Sequence, residues 1–344
     1  MHWANGVNTA NGPAPHHVSR TEAGLYKPRL DDQTPLFIVI NGSSGSGDAD
    51  QARQQIADVL RVAQREHHFV TVSDPKRLDA ECRRAAQIAQ RYEGAVIVAG
   101  GDGTINAGLN ATLPTGRPFG IIPLGTFNCT SRSHDIPSDP ASAAEALLRA
   151  EITPQQVGWV NDRCFLVNAS VGLYPEILQD REAWKERFGR YRAVAAWSAL
   201  TTLWHSQKQL VLELRHGDER EVVRTPTLFV GNNVEQLEQV GVSEAQDVQQ
   251  HHQLAAVVVK PVGTSKLFWL ALQGALGKLG EDENVRSFPF RRLSVRSRLY
   301  PWRMIKVAVD GEIRWMKPPL VFSVSGHPLM LMTPARSAAS AVAA

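Results

Sequence analysis

Three times in the first third of the chain, an apolar run rich in β-branched residues stops at a cluster of glycine and small polar residues. LFIVIN (36–41) runs into GSSGSG (42–47), AVIVAG (95–100) into GDGTIN (101–106), and PFGIIPLG (118–125) into TFN. Short continuous apolar runs of this kind read as strands covered on both faces of a parallel sheet. HHFVTVS (67–73) supplies a further strand, and periodic segments at 52–64, 76–92 and after Thr104 read as the intervening helices. Strand and helix in alternation specify an α/β domain with a parallel sheet. The three small-residue loops then fall beyond the carboxyl ends of its strands, where such sheets bind ligands.

The loop chemistry points to phosphate. Gly100, Gly101 and Gly103 remove side chains where a strand meets a helix start, so backbone N–H groups can approach phosphate oxygens. Thr104 adds a hydroxyl donor, and a helix N-terminus favours negative charge. Asp102 is the exception, because a carboxylate repels bare phosphate. Its presence fits a magnesium-linked phosphate, a bound hydroxyl, or orientation of the loop. Glycine and aspartate are also ordinary turn residues. Three such loops at three strand ends favour one shared phosphate cleft over three unrelated turns. No GxxxxGK[ST], no GxGxxG in register with an acidic ribose ligand and no GxSxG is found.

From about Ile152 the texture changes to short strand-like runs separated by turns, among them RCFLVNASVG, VLELRHG, LAAVVVKPVG, MIKVAVDGEI and LVFSVSG. Helical segments are expected near 176–205 and 265–279. The chain therefore divides into a leader (1–34), an α/β domain (35–151), a mostly β domain (152–334) and a tail (335–344), with the return of the last strands to the first domain left open. Its 344 residues, 43% of them apolar, suffice for two cores. A net charge of +3 is too small to indicate nucleic acid. Cys82, Cys129 and Cys164 form no zinc-like spacing and suit a reducing compartment. Neither a signal peptide nor an apolar run of membrane-spanning length is read.

NGSSGSG, GGDGTIN, PLGTFN and the late VDGE (309–312) together resemble the diacylglycerol kinase catalytic family, the soluble bacterial lipid kinases, which is similar to sphingosine and ceramide kinases and more distantly to NAD kinases. The resemblance extends over roughly 35–334. It implies an ATP-binding α/β domain, a β-rich second domain, and transfer of the ATP γ-phosphoryl group to a lipid hydroxyl with Mg²⁺. It implies that Asn41, Ser44 and Gly45 line the nucleotide pocket, and that Gly100, Gly101, Asp102, Gly103 and Thr104 surround the phosphates. Asn106, Gly125 and Thr126 would close the same side. Asp310 would take the acceptor proton, with Glu312 beside it in the metal or nucleotide environment and Asp102 the residue nearest an ATP-bound magnesium. Asp-Gly is also a favoured hairpin turn. The chain departs from the family at Ala107, where a glutamate is common. It departs again after PLGTFN, where Cys129 follows, and after GNN (231–233), where the usual Asp-Gly is absent. A NAD kinase-like enzyme and a nucleotide-binding regulatory protein are the alternatives.

A lipid substrate calls for a membrane approach. RSFPFRRLSVRSRLYPWR (286–303) holds six arginines and no acid. Strand alternation would put Arg292, Arg296 and Arg298 on one face toward anionic headgroups. Phe288, Phe290, Tyr300 and Trp302 would insert beside them or pack. The segment 172–204 is a second candidate for the lipid entrance. The expected setting is cytoplasmic, peripheral at the inner face of the membrane, without nucleic acid. The oligomeric state is left open, a homodimer included.

Overall fold

The computed structural model describes residues 30–42, 48–125, 128–172, 209–239, 251–263 and 282–335, with isolated positions between. The helices expected near 176–205 and 265–279, and the lipid entrance expected over 172–204, lie almost wholly outside them.

The α/β half begins with β1 (Leu36–Asn41), α1 (Asp48–Val62), β2 (His67–Val72), α2 (Leu78–Arg91), β3 (Ala95–Gly100), α3 (Asp102–Thr112) and β4 (Phe119–Pro123). All six residues of β3 are buried, as a central strand sandwiched by helices requires. A short α4 (Cys129–Arg132) and α5 (Pro140–Leu148) follow. Asp139 caps α5 by accepting from the Ser142 N–H at 2.9 Å, with proline at the first helical position. The chain then enters β5 (Glu151–Gln155).

Strands β1 to β4 pair in parallel in the order β2-β1-β3-β4. The sheet is completed from the far end of the chain. β18 (Leu329–Thr333) pairs in parallel with β4, through Leu331 and Phe119, and antiparallel with β5. The last strand therefore belongs to the first sheet.

Between β5 and β18 lie two further six-stranded sheets. One contains β6 (Gly158–Val160), β7 (Arg163–Phe165), β9 (Leu210–His216), β10 (Glu219–Thr225), β14 (Arg292–Ser297) and β17 (Leu320–Val324), in the order β10-β9-β14-β17-β6-β7. The other contains β8 (Asn168–Gly172), β11 (Thr227–Gly231), β12 (Leu254–Val259), β13 (Val285–Phe290), β15 (Ile305–Val309) and β16 (Glu312–Met316), in the order β13-β12-β11-β8-β15-β16. A single apolar layer joins their inner faces, including Val171, Leu214, Val230, Phe290, Val295, Val307 and Phe322. A short helix, α6 (Val234–Gln239), packs Leu237 against the outer side of β11 and β12.

The two halves are held at α3 and β7. Asn106 Nδ2 donates to the Cys164 carbonyl at 2.7 Å, and the Cys164 N–H donates to Asn110 Oδ1 at 3.1 Å. Arg163 pairs with Asp79 on α2 at 3.1 Å. This contact brings the β15–β16 hairpin up against the carboxyl ends of β3 and β4.

Candidate active site

The site is built where three chain segments meet. The first is the β3–α3 junction. Gly101 is the N-cap of α3 in extended backbone, and Asp102 is its first helical residue. The second is the loop after β4. A Cβ on Gly125 would stand 2.7 Å from the Gly101 Cα, so the two loops touch backbone to backbone and only glycine fits there. Asn128, with φ +50°, turns the chain into α4 and donates from Nδ2 to the Gly125 carbonyl at 3.0 Å. The third is the hairpin joining β15 and β16. Val309 pairs with Glu312, so Asp310 and Gly311 are a two-residue turn, and both have positive φ, +46° and +89°. That is the type I′ geometry which Asp-Gly favours. Asp310 therefore occupies the first position of a tight hairpin turn.

Asp310 is 3% exposed. Its Oδ2 accepts from the Leu166 N–H at 2.8 Å, and its Oδ1 from Val167 and Asn168 at 2.9 and 3.0 Å. Its own N–H donates to the Asn168 carbonyl at 2.9 Å. Burial pushes the carboxyl up to about 6; the three backbone donors oppose the rise, and the Asp102 charge adds to it. Asp102 is likewise pushed up to about 6 by burial. The N–H groups of Thr130, Cys129 and Asn128, at the start of α4, oppose that rise, while Glu312 adds to it. Glu312 lies over α3: a Cβ on Gly103 would fall 2.6 Å from its Oε1. Three carboxylates thus converge, each raising the cost of ionising a neighbour.

Two buried oxygens at the same place have no hydrogen-bond partner, Asp102 Oδ1 and Asn128 Oδ1. Unpaired acceptors beside crowded carboxylates fit a cation. Among the described residues no group of three or more His, Cys, Asp and Glu side chains is arranged to hold a metal by itself.

The remaining expected residues divide. Asn41, at the end of β1, donates from Nδ2 to Thr104 Oγ1 at 3.3 Å. Gly100 lies tight against the Thr104 side chain. These residues and Gly103 sit around the start of α3. Ser44, Gly45 and Thr126 lie outside the described residues. Asn106 is buried; its Nδ2 donates to the Cys164 carbonyl and its Oδ1 accepts from Asn110 at 3.1 Å, so its amide ties α3 to β7. Arg292 and Arg296 are exposed on β14, and Arg298 follows it, all in the sheet that does not carry Asp310. Phe290 is fully buried in the sandwich core and Phe288 packs against it, so neither reaches a membrane.

Two contributors escaped the sequence reading. The amides of Leu166, Val167 and Asn168 that hold Asp310 are backbone groups with no side-chain signature. Asn128 was legible only as a residue following PLGTF, although asparagine is among the few non-glycine residues that adopt positive φ readily.

Known proteins resemble this chain in sequence over part of its length and in fold. Residues 35–160 match the family described as "Diacylglycerol kinase catalytic domain". A diacylglycerol kinase of Staphylococcus saprophyticus is 29% identical over 143 residues, 41% of this chain and 46% of that protein. A Serratia proteamaculans protein described as "Probable lipid kinase YegS-like" is 33% identical over 142 residues, 40% of this chain and 45% of that protein. The chain thus spans about half the length of the curated relatives it matches. A crystal structure of a diacylglycerol kinase from Bacillus anthracis superposes with a TM-score of 0.63 at 18% identity, covering 88% of this chain and 98% of that one. At that identity the likeness is one of fold, an α/β domain joined to a β domain. The glycine loops thus lie in a segment, residues 35–160, that matches the diacylglycerol kinase catalytic domain.

Proposed function

We propose that this chain is an ATP-dependent lipid kinase that phosphorylates a hydroxyl of diacylglycerol, a sphingoid base, ceramide or a related amphiphilic alcohol. The observation that carries the reading is the convergence of Asp102, Asp310 and Glu312 beneath the Gly101–Gly125 contact. Gly100, Gly101, Gly103 and Gly125 leave backbone amides open to phosphate oxygens, and the α3 N-terminus favours their charge. Asn41 and Thr104 border the nucleotide side, with Ser44, Gly45 and Thr126 assigned there from the motif alone.

In the reaction the lipid oxygen forms a bond to the γ-phosphorus, the bond from that phosphorus to the β–γ bridging oxygen breaks, and ADP leaves. The hydroxyl proton goes to Asp310. Its Oδ2 accepts a single backbone N–H and so keeps a lone pair for that proton. Its three backbone donors hold the carboxylate at a fixed angle to the cleft. Asp102 and Glu312 would hold Mg²⁺, which supplies neutralisation of phosphate charge when bound. The likeness of residues 35–160 to lipid kinases supports an alcohol acceptor on a lipid. Among the described residues no helix is long and apolar enough to cross a membrane, so the reading takes membrane contact to be peripheral.

The test is transfer of radiolabel from γ-labelled ATP to diacylglycerol, monoacylglycerol, sphingosine and ceramide in detergent micelles with Mg²⁺, alongside NAD. Label in one lipid, lost in Asp310→Asn, names the acceptor. Label in NAD moves the chain to the more distant kinases, and ATP binding without transfer to any acceptor supports a regulatory protein.

A further inference from the structure

The sheet containing β9, β10 and β14 buries one face in the sandwich. Its other face carries three cross-strand rows: Arg220–Arg215–Ser294, Val222–Glu213–Arg296 and Arg224–Val211–Arg298. The third row extends one step past β14, where the Arg298 N–H donates to the Val211 carbonyl at 2.8 Å. Arg292 continues the stripe two residues before Ser294. Arg215, Arg220, Arg224, Arg292, Arg296 and Arg298 therefore share one face. Among the residues of these three strands pointing that way, only Glu213 is acidic, and it is already paired with Arg215 and Arg220. Glu213 offsets Arg215 and Arg220 but leaves Arg224, Arg292, Arg296 and Arg298 as an excess of positive charge on this face. The arrangement serves a partner that brings the missing negative charge.

The second observation is apolar. The chain leaves the arginine stripe at Arg298 and enters a six-residue loop, Leu299–Met304, before β15. In it Leu299 is 61% exposed, Tyr300 59%, Trp302 92% and Met304 38%. Scattered single apolar residues on a surface are normal, but four in one loop beside a cationic face are not. A nucleic-acid duplex rewards the arginines and leaves Leu299, Trp302 and Met304 in water. A bilayer rewards both, since phosphates and apolar tails lie within one interface and tryptophan favours that depth.

We propose that this arginine face and the Leu299–Met304 loop together dock the protein on an anionic lipid bilayer. The arginines meet headgroup phosphates while Leu299, Trp302 and Met304 enter the interfacial region. The basic face thus spans three strands rather than one, and Leu299 and Met304 join Trp302 as inserting residues; the purpose of such docking rests on the lipid-kinase reading. The loop leads straight into β15, which ends one residue before Asp310. Five strand residues span about 16 Å, so docking brings the candidate base close to the source of a lipid substrate.

The test is sedimentation of the full chain with vesicles of phosphatidylcholine alone and of phosphatidylcholine mixed with phosphatidylglycerol, at low and high salt. The wild type should bind the mixed vesicles, ignore the neutral ones, and release as salt screens the arginines. Arg296→Gln with Arg298→Gln should weaken binding about thirtyfold, and Trp302→Ser roughly tenfold. Unchanged thermal melting would show that these exposed substitutions leave the fold intact. Variants that bind like the wild type overturn the proposal. So does a wild type that ignores all vesicles, and one that binds duplex DNA instead transfers the face to nucleic acid. Vesicle binding needs no catalysis, so docking without transfer to any lipid would sink the kinase reading alone. Transfer to detergent-dispersed lipid without docking would sink only the surface.

Discussion

Glu312 lies directly over the Cα of Gly103, so close that any side chain at 103 would occupy its carboxylate's position. The two residues are far apart in sequence and come from different halves of the molecule. Their contact is what sets the β15–β16 hairpin on the start of α3. Alanine has the better helix propensity, by roughly 1 kcal/mol, so Gly103→Ala would ordinarily strengthen α3. Here the Cβ would meet Oε1 at 2.6 Å and drive Glu312 away. Gly103→Ala is therefore expected to lower phosphoryl transfer by about 100-fold or more. Because the carboxylate is the far end of a flexible side chain, the melting temperature should hardly change, and adding Glu312→Ala should not restore turnover. Full turnover in the single variant would separate Glu312 from the reaction.

Asn106 makes a contrasting prediction. Its amide joins Cys164 and Asn110, so Asn106→Ala leaves a buried carbonyl without its donor. Losing such a partner costs about 1–3 kcal/mol. The expected result is a melting temperature lower by several degrees with ATP affinity nearly unchanged, read by thermal unfolding and by calorimetric titration. A phosphate-lining role would give the opposite pair, weaker ATP binding and an unaltered melt.

The Asp102 carboxyl titrates at about 6 in the fold, above the ordinary aspartate value, because burial disfavours its charge. The native state therefore holds this proton more tightly than the unfolded chain does. The resulting stability is fully present below about pH 4 and is lost as pH rises through about 6. Asp102→Asn carries no such penalty. In metal-free buffer, its stability relative to the wild type should improve between pH 4.5 and pH 7.5 by about 2 kcal/mol, at ~1.4 kcal/mol per pKa unit. Urea unfolding at the two pH values measures this, and a pH-independent difference would mean that Asp102 is not strained by its charge.

The first sheet was legible because its central strands are apolar on both faces and end in glycine, a pattern few other structures tolerate. The α5 start was legible because Asp139 and Pro140 announce a cap. The return of β18 was not, since LMLMT reads as a strand whichever sheet receives it. Register and partner come from packing of distant segments, here Leu331 beside Phe119. The candidate site divides in the same way. Asp102, Asp310 and Glu312 stood out as carboxylates beside glycine. The bonds of Asn106 to Cys164 and Asn110 could not be read, because its place in GGDGTIN says nothing about which side of α3 it faces. The amides that fix Asp310 could not be read at all, because every residue but proline has one.

Those amides shape the last prediction. Asparagine at 310 can still accept from Val167 and Asn168 through Oδ1, but its Nδ2 then confronts the Leu166 N–H, donor against donor. Asp310→Asn should therefore cost about 1–3 kcal/mol of stability from the unmet donor, partly offset by removal of a buried charge. Its chemical effect should be far larger. Without a carboxylate to take the acceptor proton, turnover should fall by about 10²–10⁴, while ATP affinity, set by the glycine loops, stays within a few fold. The two effects separate by measurement. Unfolding gives the structural cost, titration gives ATP binding, and single-turnover transfer to the accepted lipid gives the chemistry. Asp310→Glu keeps the base but lengthens its reach, so it should recover part of the transfer while melting lower than the wild type. If Asp310→Asn is destabilised yet transfers phosphate at nearly the wild-type rate, Asp310 is only an anchor for the β7–β8 turn. The proton would then have to leave through Asp102 or Glu312, and the same single-turnover assay on Glu312→Gln and Asp102→Asn would show which.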